Sequence, residues 1–150
     1  MTTLKIGDKA PDFNGKTYNE NILSLEHFKG KKLILYFYPK DNTPGCTAQA
    51  CNLRDNYDTL LKKGYAVVGI SADTESSHQK FTEKYNLPFP LIADTNKEIL
   101  KAYGVWGPKK FMGKTFDGII RTTFVISEKG IITEIIEKVD TKNHYAQILR

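Results

Sequence analysis

The sequence lacks the features of a secreted or membrane-spanning chain. None of its apolar runs approaches the roughly 18 residues that a membrane-spanning helix needs. Its first residues, MTTLKIGD, contain no apolar stretch like that of a secretory signal peptide. These absences predict a cytoplasmic protein without a membrane partner.

The chain also lacks the basic stripe that a nucleic-acid-binding surface requires. Its net charge is +5, from 22 basic and 17 acidic residues, but the basic residues are spread along the whole chain. The longest basic runs are pairs, such as Lys31-Lys32 and Lys62-Lys63, and no nucleic-acid motif accompanies them. We therefore expect no nucleic-acid partner and at most a weak attraction for acidic proteins.

Cysteine is scarce as well, since the 150 residues include only Cys46 and Cys51. A chain of this length buries about two-thirds of the surface that it exposes when unfolded, so it needs no disulfide or metal for stability. In a reducing compartment a cysteine pair is more often catalytic, redox-sensing or metal-binding than structural. The C-x4-C spacing does not match a zinc site, and His27, His78 and His144 lie far apart in the sequence. We expect each histidine to be exposed or to cap a helix, and we expect no metal or other cofactor.

The apolar pattern predicts an α/β protein. Continuous apolar runs, which are typical of strands covered on both faces, lie at 33–38, 66–70 and 123–126. Amphipathic patterns, which predict helices, lie at about 44–63, 76–85 and 97–103. Because strands and helices alternate, we expect a sheet with helices packed against it.

The end of the chain adds an antiparallel element to this pattern. A turn at 127–130 and the apolar residues 131–136 predict a β-hairpin, and Thr141 is the candidate cap of a short last helix. This order predicts a single domain over residues 1–150 with a thioredoxin-like fold, in which helices flank a central mixed β-sheet and an extension precedes it. Periodicity alone leaves a small doubly wound fold open.

Strong signals mark the start of the predicted helix at 44–63. Thr43 is a suitable N-cap and Pro44 suits the first helical position, which puts Cys46 inside the first turn. Cys46 also heads an apolar stripe, which continues through Ala50, Leu53, Tyr57 and Leu60. First-turn N–H groups lack helical partners and stabilise a thiolate relative to a thiol. The position predicts a reactive cysteine, with a buried structural cysteine as the alternative.

Cys51 lies five residues after Cys46. In an intact helix two such residues are about 140° apart around the axis, and their Cα atoms are about 8–9 Å apart. A disulfide needs a Cα separation below about 7 Å. The pair is therefore either unbonded or bonds only after the start of the helix unwinds, which the low stability of a first turn allows. A cysteine that merely fills space is the alternative for Cys51.

The segment from Tyr36 to Arg54, YFYPKDNTPGCTAQACNLR, closely resembles the active-site segment of the peroxiredoxins. Pro39, Thr43 and Cys46 fill the fixed positions of their Pro-x-x-x-Thr/Ser-x-x-Cys pattern. The C-x4-C spacing resembles the atypical two-cysteine subgroup named bacterioferritin comigratory protein or peroxiredoxin Q. Further matching segments extend the resemblance over almost the whole chain, at 7–13, 87–91, 103–107 and 121–126.

The resemblance implies a thioredoxin-dependent peroxidase. Cys46 would attack a hydroperoxide and become a sulfenic acid, and Cys51 would resolve that acid as an intramolecular disulfide. Arg121 would hold positive charge beside the sulfur, and Pro39 would shield the sulfur from water. The hydroxyl of Thr43 would accept a hydrogen bond from the peroxide and donate one to the sulfur. Reduction of the disulfide would fall to thioredoxin or a similar dithiol protein. The subgroup also implies a monomer without a cofactor.

Other readings fit parts of the same pattern. A thioredoxin-like disulfide oxidoreductase would need a second sulfur where this chain has Thr43, and a redox sensor stays open as an added role. The segment from Gly107 to Thr115 is similar to a phosphate-binding P-loop but has one residue too many between its glycines. We predict a surface loop near the active site there. Gln49, one helical turn after Cys46, is a further candidate for supporting the site.

Overall fold

The computed structural model describes residues 2–149, apart from the side chain of Phe111. Its strands are β1 (Asn14–Lys16), β2 (Ile22–Ser24), β3 (Lys32–Phe37), β4 (Tyr65–Ser71), β5 (Leu91–Ala93), β6 (Trp106–Phe111), β7 (Lys114–Ile119), β8 (Thr122–Ile126) and β9 (Ile132–Ile136). Its α-helices are α1 (Pro44–Asp55), α2 (Tyr57–Lys62), α3 (Glu75–Tyr85), α4 (Glu98–Ala102) and α5 (His144–Leu149). A short 3-10 helix spans Leu25–Phe28. Among the described residues, no helix has both the length and the apolar character to cross a membrane.

A five-stranded mixed sheet forms the centre, in the order β5-β4-β3-β8-β9. Strands β3, β4 and β5 are parallel, whereas β8 runs antiparallel to β3 and to β9. The pairing of β8 with β9 confirms the hairpin that the sequence predicts near the end of the chain. The α/β fold is therefore thioredoxin-like, with a mixed sheet between helices and the β1–β2 hairpin in the N-terminal extension.

The side chains of β3 alternate between the two faces of the sheet and divide the core into two parts. On one face, Leu33, Leu35 and Phe37 pack with residues of α4 and of the N-terminal segment. On the other face, the core is formed by Ile34, Tyr36 and Tyr38 together with residues of α1, α2, α3 and α5. Cys46 belongs to this second core.

The helix predicted at 44–63 is in fact two helices, α1 and α2, which meet at Asn56. The backbone N–H of Asn56 donates to the carbonyl of Arg54, and its side-chain amide donates to the carbonyl of Asn52 at 2.8 Å. A side chain that competes in this way for a backbone acceptor interrupts the helical ladder. The predicted apolar stripe nevertheless continues across the break, and all its members pack in the core: Cys46, Ala50, Leu53, Tyr57 and Leu60.

The remaining helices differ from prediction mainly at their ends. Helix α3 begins one residue before the predicted Ser76, and the hydroxyl of Thr74 caps it by accepting the N–H of Ser77 at 3.1 Å. Thr141 does not cap α5, because that helix begins only at His144. The carboxylate of Asp140 accepts the N–H of Lys142 at 3.1 Å, and the resulting turn delays the helix.

His78 is buried, which contradicts the prediction of an exposed or capping residue. Its Nδ1 lies 2.7 Å from the carboxylate of Asp41, and its Nε2 lies 3.0 Å from the carbonyl of Ile92. The carboxylate of Asp41 also accepts the hydroxyls of Tyr38 at 2.6 Å and Ser77 at 2.8 Å. Burial is tolerated because each of these polar atoms has a partner. The network holds the loop after β3 against α3 and β5.

His144 is buried as well, and His27 alone among the three histidines behaves as predicted. The Nε2 of His144 lies 2.8 Å from the hydroxyl of Thr123, and its Nδ1 lies 2.8 Å from the side-chain oxygen of Gln147. Burial lowers the pKa of His144, which the hydrogen bond with Gln147 opposes. His27 is exposed and pairs with Ser24 at the start of the 3-10 helix.

The segment from Gly107 to Thr115 is not the predicted surface loop. It forms most of an antiparallel hairpin between β6 and β7. Met112 and Gly113 at its tip have φ angles of 52° and 78°, which suit a two-residue hairpin turn. Strand β7 leads through Ile120 to Arg121, so the hairpin delivers Arg121 to the start of β8.

We expect the substitution His78→Ala to lower the free energy of unfolding by about 3 kcal/mol, because it leaves the buried carboxylate of Asp41 without its ring partner. Urea denaturation followed by circular dichroism measures this loss. The control is His27→Ala, whose exposed ring should contribute below about 1 kcal/mol. Equal losses for the two variants would contradict the stabilising role of the network.

Candidate active site

Cys46 lies in the first turn of α1, close to the point where the chain leaves the central strand β3. Thr43 has the extended backbone of an N-cap, with φ −96° and ψ 155°, and Pro44 begins the helix. Cys46 is 2% exposed, so its sulfur is largely removed from water. First-turn N–H groups without helical partners favour a negative charge at this end of the helix. The position of Cys46 is the one that the sequence predicts.

Arg121 reaches the same sulfur from the start of β8. Its Nη2 donates to the Sγ of Cys46 at 3.3 Å, and its Nη1 donates to the side-chain oxygen of Gln49 at 2.6 Å. Gln49 is fully buried one turn after Cys46, so it fixes the direction of the guanidinium. A guanidinium this close stabilises a thiolate and offsets the cost of burying its charge.

Gly45 gives the guanidinium the space that it occupies. A Cβ at this position would lie 3.3 Å from Nη2 of Arg121 and 3.9 Å from the methyl group of Thr141. The first of these distances is tighter than ordinary van der Waals contact. A side chain at position 45 would therefore require the guanidinium to shift by a few tenths of an ångström.

Pro39 and Thr43 lie in the loop between β3 and α1. The hydroxyl of Thr43 donates to the carbonyl of Lys40 at 2.8 Å and makes no capping bond to the helix. The expected donation from this hydroxyl to the sulfur of Cys46 is therefore wrong, because its proton is directed at Lys40. Its oxygen can still accept a hydrogen bond from a bound molecule. Pro39 is half-buried beside Tyr38, whose hydroxyl belongs to the buried network with Asp41.

The two cysteines are unbonded and differ in their surroundings. Both lie in α1, which is continuous between them. Burial raises the pKa of the Cys51 thiol; Arg54 opposes this shift and Asp55 adds to it. Cys46 thus contacts the guanidinium of Arg121, whereas Cys51 lies where burial raises the pKa of its thiol.

Two residues of this region escape detection from the sequence. The hydroxyl of Tyr36 on β3 is buried without a hydrogen-bond partner, and burial together with Cys46 raises its pKa well above the ordinary value. The ammonium of Lys109 on β6 donates to the carbonyl of Ile119 at 2.7 Å, and burial followed by the charge of Arg121 lowers its pKa. Tyr36 lies in an apolar run and looks like any core aromatic residue, while Lys109 is placed by a hairpin that the sequence does not reveal.

One group of side chains within residues 2–149 has the spacing of metal ligands. The candidate atoms of Asp41, Asp73 and His78 lie within 4.8 Å of one another. The carboxylate of Asp73 already accepts the N–H of Asp41 at 2.8 Å and the hydroxyl of Ser71 at 2.7 Å. Since both ring nitrogens of His78 also face acceptors, hydrogen bonds account for the whole group.

The chain resembles known proteins over nearly its full length. Residues 6–135 match the model of the AhpC/TSA family. Peroxiredoxin Bcp of Escherichia coli strain K12 is 44% identical over 149 residues, which cover 99% of this chain and 96% of that protein. Peroxiredoxin Bcp of Bacillus subtilis strain 168 is 42% identical over 148 residues, with coverages of 99% and 94%. A structure of Xanthomonas campestris bacterioferritin comigratory protein, solved to explain its alkyl peroxide reduction, has a TM-score of 0.88 at 30% identity, with coverages of 99% and 95%.

We expect the Cys51 thiol to ionise at a higher pH in the folded protein than in the unfolded chain, because its pKa is raised by burial. The stability that this shift contributes is accordingly fully present below the unfolded value of about 8.5, and it is lost as the pH rises from there through the higher pKa of the folded state. In a Cys46→Ser protein, the rate of alkylation of Cys51 by iodoacetamide should reach its midpoint at a higher pH without urea than in urea. A midpoint that is equal or lower in the folded protein would show that burial does not hold the proton.

Proposed function

Since this chain belongs to the AhpC/TSA family, we propose that Cys46 is its peroxide-attacking cysteine and Cys51 its resolving cysteine. The match to peroxiredoxin Bcp proteins over nearly the whole length makes it a thiol-dependent peroxidase, an oxidoreductase that reduces hydroperoxides. We further propose that residues 1–150 act as one catalytic domain, in the cytoplasm and as a monomer.

The assignment of Cys46 is carried by its contact with Arg121, whose Nη2 lies 3.3 Å from the sulfur. Peroxide cleavage needs an ionised sulfur and a stabilised leaving oxygen. A single guanidinium can serve both needs, because it presents several N–H donors in one plane and remains charged. Within residues 2–149, no guanidinium donates a hydrogen bond to Cys51, and its raised pKa makes it the poorer nucleophile in the folded helix.

In the first step, the thiolate of Cys46 attacks one oxygen of the hydroperoxide. The S–O bond forms while the O–O bond breaks, so the sulfur loses two electrons and the peroxide gains them. The leaving oxygen takes a proton and departs as water or an alcohol. Arg121 stabilises the negative charge on that oxygen, and Thr43 can accept the O–H of the incoming peroxide. Cys46 is left as a sulfenic acid.

In the second step, the thiolate of Cys51 attacks the sulfur of the sulfenic acid, and hydroxide leaves as water with the proton of the thiol. The helix between the two residues keeps their Cα atoms about 8–9 Å apart, which is beyond the reach of a disulfide. The first turns of α1 must therefore unwind before the bond can form. The start of a helix is the part that opens at the lowest cost.

In the third step, a dithiol protein reduces the disulfide by thiol exchange and returns both cysteines to thiols. We propose thioredoxin as this reductant, because the family relies on thiol reductants of that kind. The substrates that we propose are hydrogen peroxide and organic hydroperoxides. The alkyl peroxide reduction of the Xanthomonas campestris relative supports the second class.

We expect Cys46→Ser to abolish peroxide consumption in an assay coupled to thioredoxin and its reductase, because the hydroxyl of serine is not ionised at neutral pH. Cys51→Ser should still consume one equivalent of peroxide and then stop, because the sulfenic acid has no internal partner. Mass spectrometry of the peroxide-treated wild type should find a loss of two hydrogens at one Cys46–Cys51 link. Sustained turnover by the Cys46→Ser protein would refute the assignment.

We expect Arg121→Gln to slow the oxidation of Cys46 by a factor on the order of 100 to 1,000, because it removes the donor that stabilises the developing oxyanion. Single-turnover stopped-flow measurements with hydrogen peroxide give this rate. The matched control is Arg54→Gln, since Arg54 pairs with Asp55 and donates to Tyr85 without touching Cys46. Equal rates for the two variants would remove Arg121 from the mechanism.

A further inference from the structure

Side-chain hydrogen bonds hold the chain on both sides of the cysteine pair. Before the pair, the backbone N–H of Asp41 donates to Asp73 at 2.8 Å, and the buried carboxylate of Asp41 pairs with His78. After the pair, the side chain of Asn52 joins α1 to the start of α5. Asp41 and Asn52 enclose residues 42–51, which include both cysteines.

Asn52 uses both ends of its amide for this connection. Its Nδ2 donates to the carbonyl of Lys142 at 3.1 Å, and its Oδ1 accepts the backbone N–H of Tyr145 at 2.8 Å. The second bond satisfies one of the N–H groups that the first turn of α5 leaves without a helical partner. Two bonds from one side chain fix its position more firmly than one. The anchored residue comes directly after Cys51.

The enclosed segment is attached differently. Cys46 and Gln49 are held by Arg121, and the side chain of Asn42 accepts weak, exposed bonds from Lys84 at 3.3 Å and Tyr85 at 3.2 Å. The bond from Arg121 to the sulfur is strongest when the sulfur carries a charge. Conversion to the neutral sulfenic acid weakens that bond. Oxidation thus loosens the enclosed segment and leaves the bonds of Asp41 and Asn52 unchanged.

We propose that Asn52 is a positioning residue for the resolving step, because it stops the unwinding of α1 directly after Cys51. This proposal depends on the roles proposed above for Cys46 and Cys51. The buried network of Asp41 fixes the other end, so the unwound chain is a short loop between two stationary points. A short loop keeps Cys51 at a high effective concentration near Cys46. It also leaves α5 packed throughout the reaction.

Hydrogen exchange in the reduced and oxidised proteins tests where the unwinding stops. In the oxidised wild type, amides of residues 43–51 should exchange quickly, while those of α5 stay as protected as in the reduced protein. In oxidised Asn52→Ala, we expect α5 to exchange at least about tenfold faster than in reduced Asn52→Ala. The matched control is Asn56→Ala, because the amide of Asn56 donates to the carbonyl of Asn52 and not to α5.

Rapid kinetic measurements distinguish a positioning role of Asn52 in the resolving step from a role that only stabilises the fold. In Asn52→Ala, the oxidation of Cys46 by hydrogen peroxide should stay within about twofold of the wild-type rate, and disulfide formation should slow about three- to tenfold. Asn52→Asp keeps the acceptor for the N–H of Tyr145 and should show an intermediate rate. A purely structural role would instead lower α5 protection equally in both redox states and leave the ratio of the two rates unchanged.

The outcomes distinguish this proposal from the function on which it depends. If the wild type forms a Cys46–Cys51 disulfide, but Asn52→Ala matches Asn56→Ala in exchange and in kinetics, the anchoring role is overturned and the peroxidase mechanism stands. If α5 loses protection in the oxidised wild type, the anchor likewise fails. If no disulfide joins Cys46 to Cys51, the resolving assignment is wrong and the anchoring role is overturned with it.

Discussion

The contact between the guanidinium of Arg121 and the sulfur of Cys46 is the constraint on which the rest of the site depends. A buried sulfur anion is unstable unless a partner compensates its charge, and Nη2 supplies that partner at 3.3 Å. The contact requires parts that are distant in sequence to meet. The end of β3 and the first turn of α1 present the sulfur, the hairpin β6–β7 leads to the arginine, and Gln49 fixes its direction. The lack of a side chain at Gly45 leaves space for the guanidinium of Arg121.

The same contact separates the two cysteines chemically, although only four residues lie between them. Cys46 is placed where the helix terminus and the guanidinium both favour an anion. Cys51 lies further along the same helix, where burial raises the pKa of its thiol. The helix also keeps the two sulfurs apart, so a disulfide between them requires a change in the helix in addition to an oxidant. In the proposed mechanism, oxidation turns the thiolate of Cys46 into a neutral sulfenic acid and weakens its bond to Arg121. The separation of the two sulfurs along the helix is then the barrier that the resolving step has to cross.

The features that the sequence predicts well are those with local causes. The start of α1 follows from Pro44 at its first position, although the hydroxyl of Thr43 makes no capping bond, and the apolar stripe through Cys46 and Leu53 follows from helical spacing. The pattern does not predict the break at Asn56, because its cause is one side chain that takes a backbone acceptor. The pattern does not predict the burial of His78 either, because its partner Asp41 lies 37 residues away and periodicity carries no information about such pairs.

The catalytic roles of most site residues cannot be predicted from local sequence patterns. Helical position alone predicts a reactive Cys46, but only the resemblance to a family indicates Pro39, Thr43 and Arg121. The structure then supplies the distance between Arg121 and the sulfur, which no local pattern contains. It also shows that the hydroxyl of Thr43 donates to Lys40, so that hydroxyl can act on a substrate only as an acceptor while this bond persists.

The distribution of rigid and labile bonds explains how one helix can serve two opposed needs. The attack on peroxide requires Cys46 in a fixed place, whereas the resolving step requires it to move. A core that was uniformly rigid would block the second step, and one that was uniformly loose would lose the first. Fully satisfied polar networks are rigid and specify one geometry, which suits the buried cluster of Asp41 and His78 just before the helix. The bond to the sulfur of Cys46 depends on its charge, so the same chemical event that ends the need for rigidity also weakens the restraint.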